Sequence, residues 1–544
     1  MENVLLSNCG GCHGSQLTPL TARSGMNYID DMLKLAEKQK LIPLDSESSP
    51  IIRRMRDGSM PPPLEGGVRV READIELVAN YINNPAFWPS APQVVCENPA
   101  VGFDDIYEAV AVDLRGEEDR DKPFLRYVSL QNRVTAGICT NTALDLERQA
   151  LTKMLNMLSI NANVAVPIPV NAVQTLYRID LRDYDWNRAI DVEGQPFTDV
   201  WEAIVDANTY AVPFVGEDAD DARADALTDV PVMFLDSMLD VAMIGNLYYA
   251  IIDVDVTQTM DSFIIDKLGI DVVANLEDED LIRAGTTLSR VSRQDRLIEG
   301  HRIDIRPGVF YQSFDFANVQ NESIFQDPFG FNEGGREAIF TLPNGLLAYM
   351  IADDAGNLVE DSDILFDASQ GNYRAVTSVS CSACHVTGLI PVADQVRDVV
   401  LDNARVFIED GTLNRDQLEQ LEAVYLPPAA FERRLADDTT AFYDAALKRA
   451  NLPIRGVEPV SNLFLRFDRD MKLKDAAGDL GVSAAELDDF LDNLDPTLGV
   501  LSKSTLDRDD FTKVYVASLC ELSTVLKNQP DEAVCLEAEA ALDL

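Results

Sequence analysis

Histidine is almost missing from this chain, with three in 544 residues, and bases are scarce as well, 45 against 92 acids for a net charge of −47. The acids are spread along the whole length and interleaved with apolar positions. That pattern predicts a folded body with a strongly anionic surface rather than an acidic tail. Such a surface excludes nucleic acid and anionic membranes as partners, and it fits a saline habitat or a basic docking partner. Long apolar runs are also absent. Even VMFLDSMLDVAMIGNLYYAIIDV is broken by Asp236 and Asp240, so no transmembrane segment is expected. No phosphate-binding loop, serine nucleophile elbow or metal triad occurs in the central region, which removes the commonest hydrolytic and nucleotide chemistries. With 46% hydrophobic residues, a chain of this length is expected to bury several cores.

What is present is concentrated in two short motifs. NCGGCHG covers residues 8 to 14 and SCSACHV covers 380 to 386, so two of the three histidines directly follow a Cys-x-x-Cys. Cys-x-x-Cys-His is the attachment signature of c-type haem: two thiols form thioethers with the porphyrin and the adjacent imidazole binds iron. Cys9, Cys12 and His13 are read as one haem site, and Cys381, Cys384 and His385 as a second, giving two covalently attached haem c groups. A zinc site needs four ligands, and the supply of histidine is nearly exhausted by these positions. Four cysteines remain. Cys96 with Cys139 and Cys520 with Cys535 are the pairings favoured by proximity, against four buried thiols.

Residues 1–95 are expected to form the first domain, with amphipathic helices in MNYIDDMLKLAEKQ and READIELVANYINN. Between them, Met60 in the stiff segment Ser59-Met60-Pro61-Pro62-Pro63 is the expected sixth iron ligand, ahead of Met26, Met32 and Met55, which fall in helical patterns where methionine fills core. The combination CGGCHG plus DGSMPPP resembles the class I cytochrome c domain.

Residues 96–330 are expected to form an α+β central domain. Residues 331–450 are read as a hairpin region, from REAIFTLPNGLLAYMIADDAGNLVE, followed by the second haem motif, and 451–544 as a helical C-terminal domain. The fold class expected is therefore mainly α with an α+β central region. YRIDLRDYDW, 177 to 186, alternates Arg and Asp and reads as a solvated or internally paired structural strand rather than a substrate site. The third histidine, His301, is the expected sixth ligand of the second haem, with Met350, Met471 and an open iron as alternatives.

From about residue 175 onward, the ordered series YRIDLRDYDW, RAGTTLSRVSRQDRLIEGHR, VFYQSFDFA, EAIFTLPNGLLAYMI, VSCSACHVTGLIPVADQVRD and EPVSNLFLRFDRDMKLKDAAGDLGVS resembles large multidomain c-type cytochromes of planctomycete-like aquatic bacteria. The expected function is electron transfer between redox proteins by an exported dihaem cytochrome. Two alternatives stand beside it: a dihaem peroxidase-like enzyme with one open iron and Glu299 or Arg302 as acid or base, and a subunit of a larger cytochrome complex, polymer or homo-oligomer. Thioether attachment happens outside the cytoplasm. The expected location is thus periplasmic or extracellular, with a leader removed and a lipid anchor left open.

Overall fold

The computed structural model describes residues 101–138, 141–287, 295–316, 333–366, 374–454, 457–522 and 528–542, together with 323–325 and 327–329. Within 1–100 it describes 4–5, 8–9, 13–15, 26, 28–37, 40–42, 46, 49–57, 60 and 70–83. Two compact units divide the chain: Met1–Val95 with Phe366–Arg374 and Arg455–Val457, and Cys96–Leu365 with Ala375–Ile454 and Glu458–Leu544.

In the first unit, helices α1 (Met32–Glu37), α2 (Pro50–Arg56) and α3 (Glu72–Ile82) enclose a small core that includes Leu35, Ile52, Met55, Ile75, Val78 and Ile82. Pro50 opens α2, where a missing N–H costs nothing, and Arg53, Arg54 and Arg56 close it against the negative end of the helix dipole. Glu72 and Asp74 in the first turn of α3 do the converse.

The second unit is built on two sheets. Strands β1 (Leu125–Ser129), β2 (Ile168–Pro169), β3 (Leu176–Asp180) and β4 (Val232–Phe234) form a sheet in the order β2-β3-β1-β4, with β1 and β4 parallel. In β3, Arg178 is bound to Asp113 and Glu117, and Arg182 just beyond it to Asp180 and Asp121, so only Arg182–Asp180 pairs within YRIDLRDYDW and the other partners come from residues 113–121. Five further strands run as an antiparallel meander: β5 (Ile282–Thr286), β6 (Arg296–Arg302), β7 (Val309–Phe316), β8 (Glu333–Thr341) and β9 (Leu347–Ala352). Glycine has a conformational reason at the β8–β9 turn, where Gly345 sits at φ +91°.

Register sorts the meander into two faces. His301 lies opposite Phe310, Glu299 opposite Gln312, and Arg283 opposite Glu299, which places all five on one face. Tyr349 lies opposite Ile339, and Ile339 opposite Tyr311, which places these three on the other. On that second face Ala284, Val309 and Tyr311 pack with Leu389, Phe431 and Leu435.

The expectation of a mainly helical protein is corrected. The chain is about 50% helix and 16% strand with several sheets, a mixed α/β protein, and the described residues of the first unit carry no positive sign of a class I cytochrome c fold. The strands were hard to weigh because the meander is buried on both sides. Seven of the eight residues of VFYQSFDF are buried, so the in-out alternation that marks a half-exposed strand is lost. Among the described residues no helix is long and apolar enough to cross a membrane.

Helices α4 (Arg508–Glu521) and α5 (Glu532–Leu542) are joined by a disulfide between Cys520 and Cys535, with Cα atoms 5.7 Å apart. Cys96 and Cys139, the other expected pair, lie outside the described residues. Closing a loop of 15 residues restricts the unfolded chain by about 3 kcal/mol. The double variant Cys520→Ser/Cys535→Ser is therefore expected to lose about that much stability, read as a lower urea midpoint for the C-terminal helices.

Candidate functional site

The second Cys-x-x-Cys-His motif lies on and after a six-residue helix, Val379–Cys384. Cys381 and Cys384, three apart, share one side of it, the spacing at which two thiols can reach one macrocycle. Both are in the thiol form, Cys381 half-buried and Cys384 exposed. His385 caps the helix, its N–H donating to Cys381 O at 2.8 Å. Its Nδ1 lies 3.0 Å from Gly388 O. A carbonyl can only accept, so Nδ1 carries the proton and Nε2 keeps its lone pair. Burial, helped by the charge of Arg296 and opposed by the bond to Gly388, pushes the pKa of His385 down to about 4. A neutral imidazole with bare Nε2 is the form that binds iron, so the residues present fit a haem held at this motif.

Four buried side chains from distant segments surround the motif. The ring of Tyr349 on β9 lies 6.0 Å from that of His385. Tyr443 stands on a π-helical turn, Thr439–Asp444, and donates to Val386 O at 3.4 Å. Lys153 donates to Tyr443 Oη at 3.0 Å and to Glu458 Oε1 at 2.8 Å. Burial works against the charge of Lys153, but Glu458 and Tyr443 overcome it and hold its pKa above the ordinary lysine value. Burial also raises Tyr349 well above an ordinary phenol, so it stays protonated.

His301 does not join this group. It sits in β6 on the sheet face opposite the one that carries Tyr349, and its Nδ1 is 3.1 Å from Asn275 Nδ2. Its Nε2 points toward Glu299, 3.7 Å away, and Glu299 is in turn held by Arg283 and by Gln312 at 2.9 Å. Strand alternation thus places the imidazole of His301, the expected sixth ligand of the second iron, on the other sheet face from Tyr349. Met350 is opposite Ala338 on the same face as His301, and Met471 belongs to a separate core with Leu506 and Phe511. Glu299 is locked in the His301 network, and Arg302 pairs with Asp438 at 2.9 Å.

At the first motif, Cys9, His13 and Met60 are described, whereas Cys12 lies outside the described residues. His13 repeats the pattern of His385, with Nδ1 3.2 Å from a backbone carbonyl, Met26 O. Cys9 packs against the core. Met60 is half-buried and its N–H donates to Arg54 O at 3.0 Å, while Met32 and Met55 are buried core residues.

No protein-family model, curated protein or solved structure matches the chain. Nothing in the local pattern marks Lys153, Tyr349, Tyr443 or Glu458. Each is an ordinary residue in a helical or strand pattern, and their partners lie up to 305 positions away.

Gly388 is the hinge of the site. At φ +92° it occupies a conformation that favours glycine, and a Cβ there would stand 2.4 Å from the methyl of Thr439. Gly388→Ala is expected to cost about 1–3 kcal/mol in urea unfolding. Adding Thr439→Ser, which removes that methyl, should recover part of the loss; no recovery would show that backbone strain alone is at work.

Proposed function

We propose that the protein is an exported dihaem c-type cytochrome that passes electrons between redox partner proteins. The observation that carries this reading is the same at both motifs: a histidine directly after Cys-x-x-Cys gives its Nδ1 proton to a backbone carbonyl and keeps Nε2 for iron. Each bound haem would supply a one-electron iron couple. The chain's own residues do the rest. Cys9 with Cys12, and Cys381 with Cys384, would tether the two groups, His13 and His385 would each supply an imidazole to iron, and Met60 would supply a thioether to the first. Tyr349 and Tyr443, themselves buried, would stand beside the second motif and lower the dielectric on that side of it. Basic proteins are the partners such an anionic surface would attract. The Cys520–Cys535 bond supports an oxidising compartment.

A second reading, a peroxidase-like enzyme, is favoured by one observation: His301 and Met350 lie on the sheet face opposite Tyr349, and Met471 belongs to a separate core.

Haem quantitation on the purified holoprotein should give two thioether-linked haems per chain, falling to one in Cys384→Ala. Low-temperature EPR then separates the readings. The first iron is expected to be low-spin and to lose that signal in Met60→Ala. The second is expected to give the same spectrum in His301→Ala as in the parent. Loss of a low-spin signal in His301→Ala would refute the face assignment, and a high-spin second iron that binds cyanide would favour the enzyme.

A further inference from the structure

The sheet face that carries Tyr349 also carries a compact charged trio. Glu337 on β8 and Asp315 on β7 are both engaged by Arg296 of β6. Arg296 Nη2 donates to Asp315 Oδ2 at 3.1 Å, and Ser313 Oγ donates to Glu337 Oε2 at 2.5 Å. Register sets Glu337 opposite Ile351, which makes it the diagonal neighbour of Tyr349, and same-face diagonal neighbours lie within roughly 7–8 Å. The Tyr349 ring is in turn 6.0 Å from that of His385.

One cation faces two carboxylates here, and the oxygens are not all satisfied. Asp315 is 1% exposed, and its Oδ1 has an ion-pair contact with Arg296 Nε at 3.1 Å but no hydrogen bond; Glu337 Oε1 is likewise buried with no hydrogen bond among the described residues. A carboxylate oxygen buried in this way is costly, and a proton on one of the two groups would supply the missing donor and neutralise the trio.

We propose that the Asp315–Glu337 pair is a redox-linked proton site for the group held by His385, an inference that rests on the haem reading above. The pair takes up one proton from water for each electron that a one-electron donor delivers to that group. It returns the proton when the electron leaves to a one-electron acceptor. The added negative charge favours the neutral carboxyl, and by reciprocity the proton raises the potential. The charged and titratable groups that face the pair are Arg296 from β6, Tyr311 from β7, whose hydroxyl donates to Asp438, Tyr349 from β9 and His385 beyond. Burial raises the pKa of Glu337 above the ordinary carboxylate value, against the pull of Arg296 and with the help of Asp315.

The test is a potentiometric titration of the full-length holoprotein, followed by haem absorption from about pH 5.5 to about pH 8.5. One proton per electron lowers a midpoint by up to about 59 mV for each tenfold fall in proton activity. The second haem is expected to approach that slope within this range, and Glu337→Gln and Asp315→Asn are each expected to flatten it, with haem content and circular dichroism as checks on folding. Two haems with a second midpoint that does not move with pH would overturn the proton site alone, as would an unchanged slope in both variants. Absence of haem on Cys381 and Cys384 would instead overturn the underlying reading, and the proposal with it.

Discussion

A β-strand turns successive side chains to opposite sides, and that two-residue alternation decides what the five-stranded meander can offer the second Cys-x-x-Cys-His motif. A slip of one residue between β6 and β7 would exchange the faces, bringing His301 toward the motif and removing the partners of Arg296. The register is held by buried charge. Arg283, Glu299, Gln312 and His301 form one network on the first face, and Arg296, Asp315 and Glu337 form another on the second. Misaligned strands would leave carboxylates in the interior without their arginines, at a cost of about 3–5 kcal/mol for each broken pair. Buried ion pairs add little net stability over apolar packing, yet these two networks leave the sheet one way to align.

The helical side of the site depends on a comparable device. His385 is aimed by Gly388 O, Gly388 is fixed by its left-handed backbone against Thr439, and Thr439 Oγ1 accepts from Leu389 N at 3.0 Å. Thr439 begins the π-helical turn that also presents Tyr443. An extra residue in a helical turn re-aims the side chains that follow it, and here it delivers a hydroxyl to Val386 O and to Lys153. The bond from Lys153 to Glu458 then ties the long helix Asn141–Met157 to the segment that opens helix Pro459–Phe467. The motif is thus clamped by segments that the chain order keeps far apart.

Legibility in the sequence followed the range of the interaction involved. The motifs at Cys9–His13 and Cys381–His385 are contiguous, so they could be read directly, as could the β8–β9 hairpin around Pro343-Asn344-Gly345. The Cys520–Cys535 pairing was also within reach, because it closes a short loop. The balance of helix and strand was not, since strands buried on both sides lose their periodic signal. The sheet face of His301 was not legible for a more specific reason. Scarcity drew attention to it, but the face a strand residue occupies is set by register against neighbours that a single sequence does not align. Arg296 and Glu337 escaped notice for the same cause: neither carries meaning until β6, β7 and β8 are laid side by side.

The surplus of acid bears on both charged faces of the meander. With 92 acidic residues and 45 basic ones, most carboxylates must face water, where ions screen them beyond about 8–10 Å. Arg283, Arg296 and Arg508 are spent instead on interior carboxylates, Glu299, Asp315 with Glu337, and Asp479. In the first and third cases one arginine meets one close carboxylate, but Arg296 meets two. The chain therefore leaves one buried acid underbalanced beside the second motif, in a medium where a unit charge is felt far more strongly than at the surface. On the proposed reading, a change of iron charge would be answered there by a proton before it is answered by the distant, screened surface.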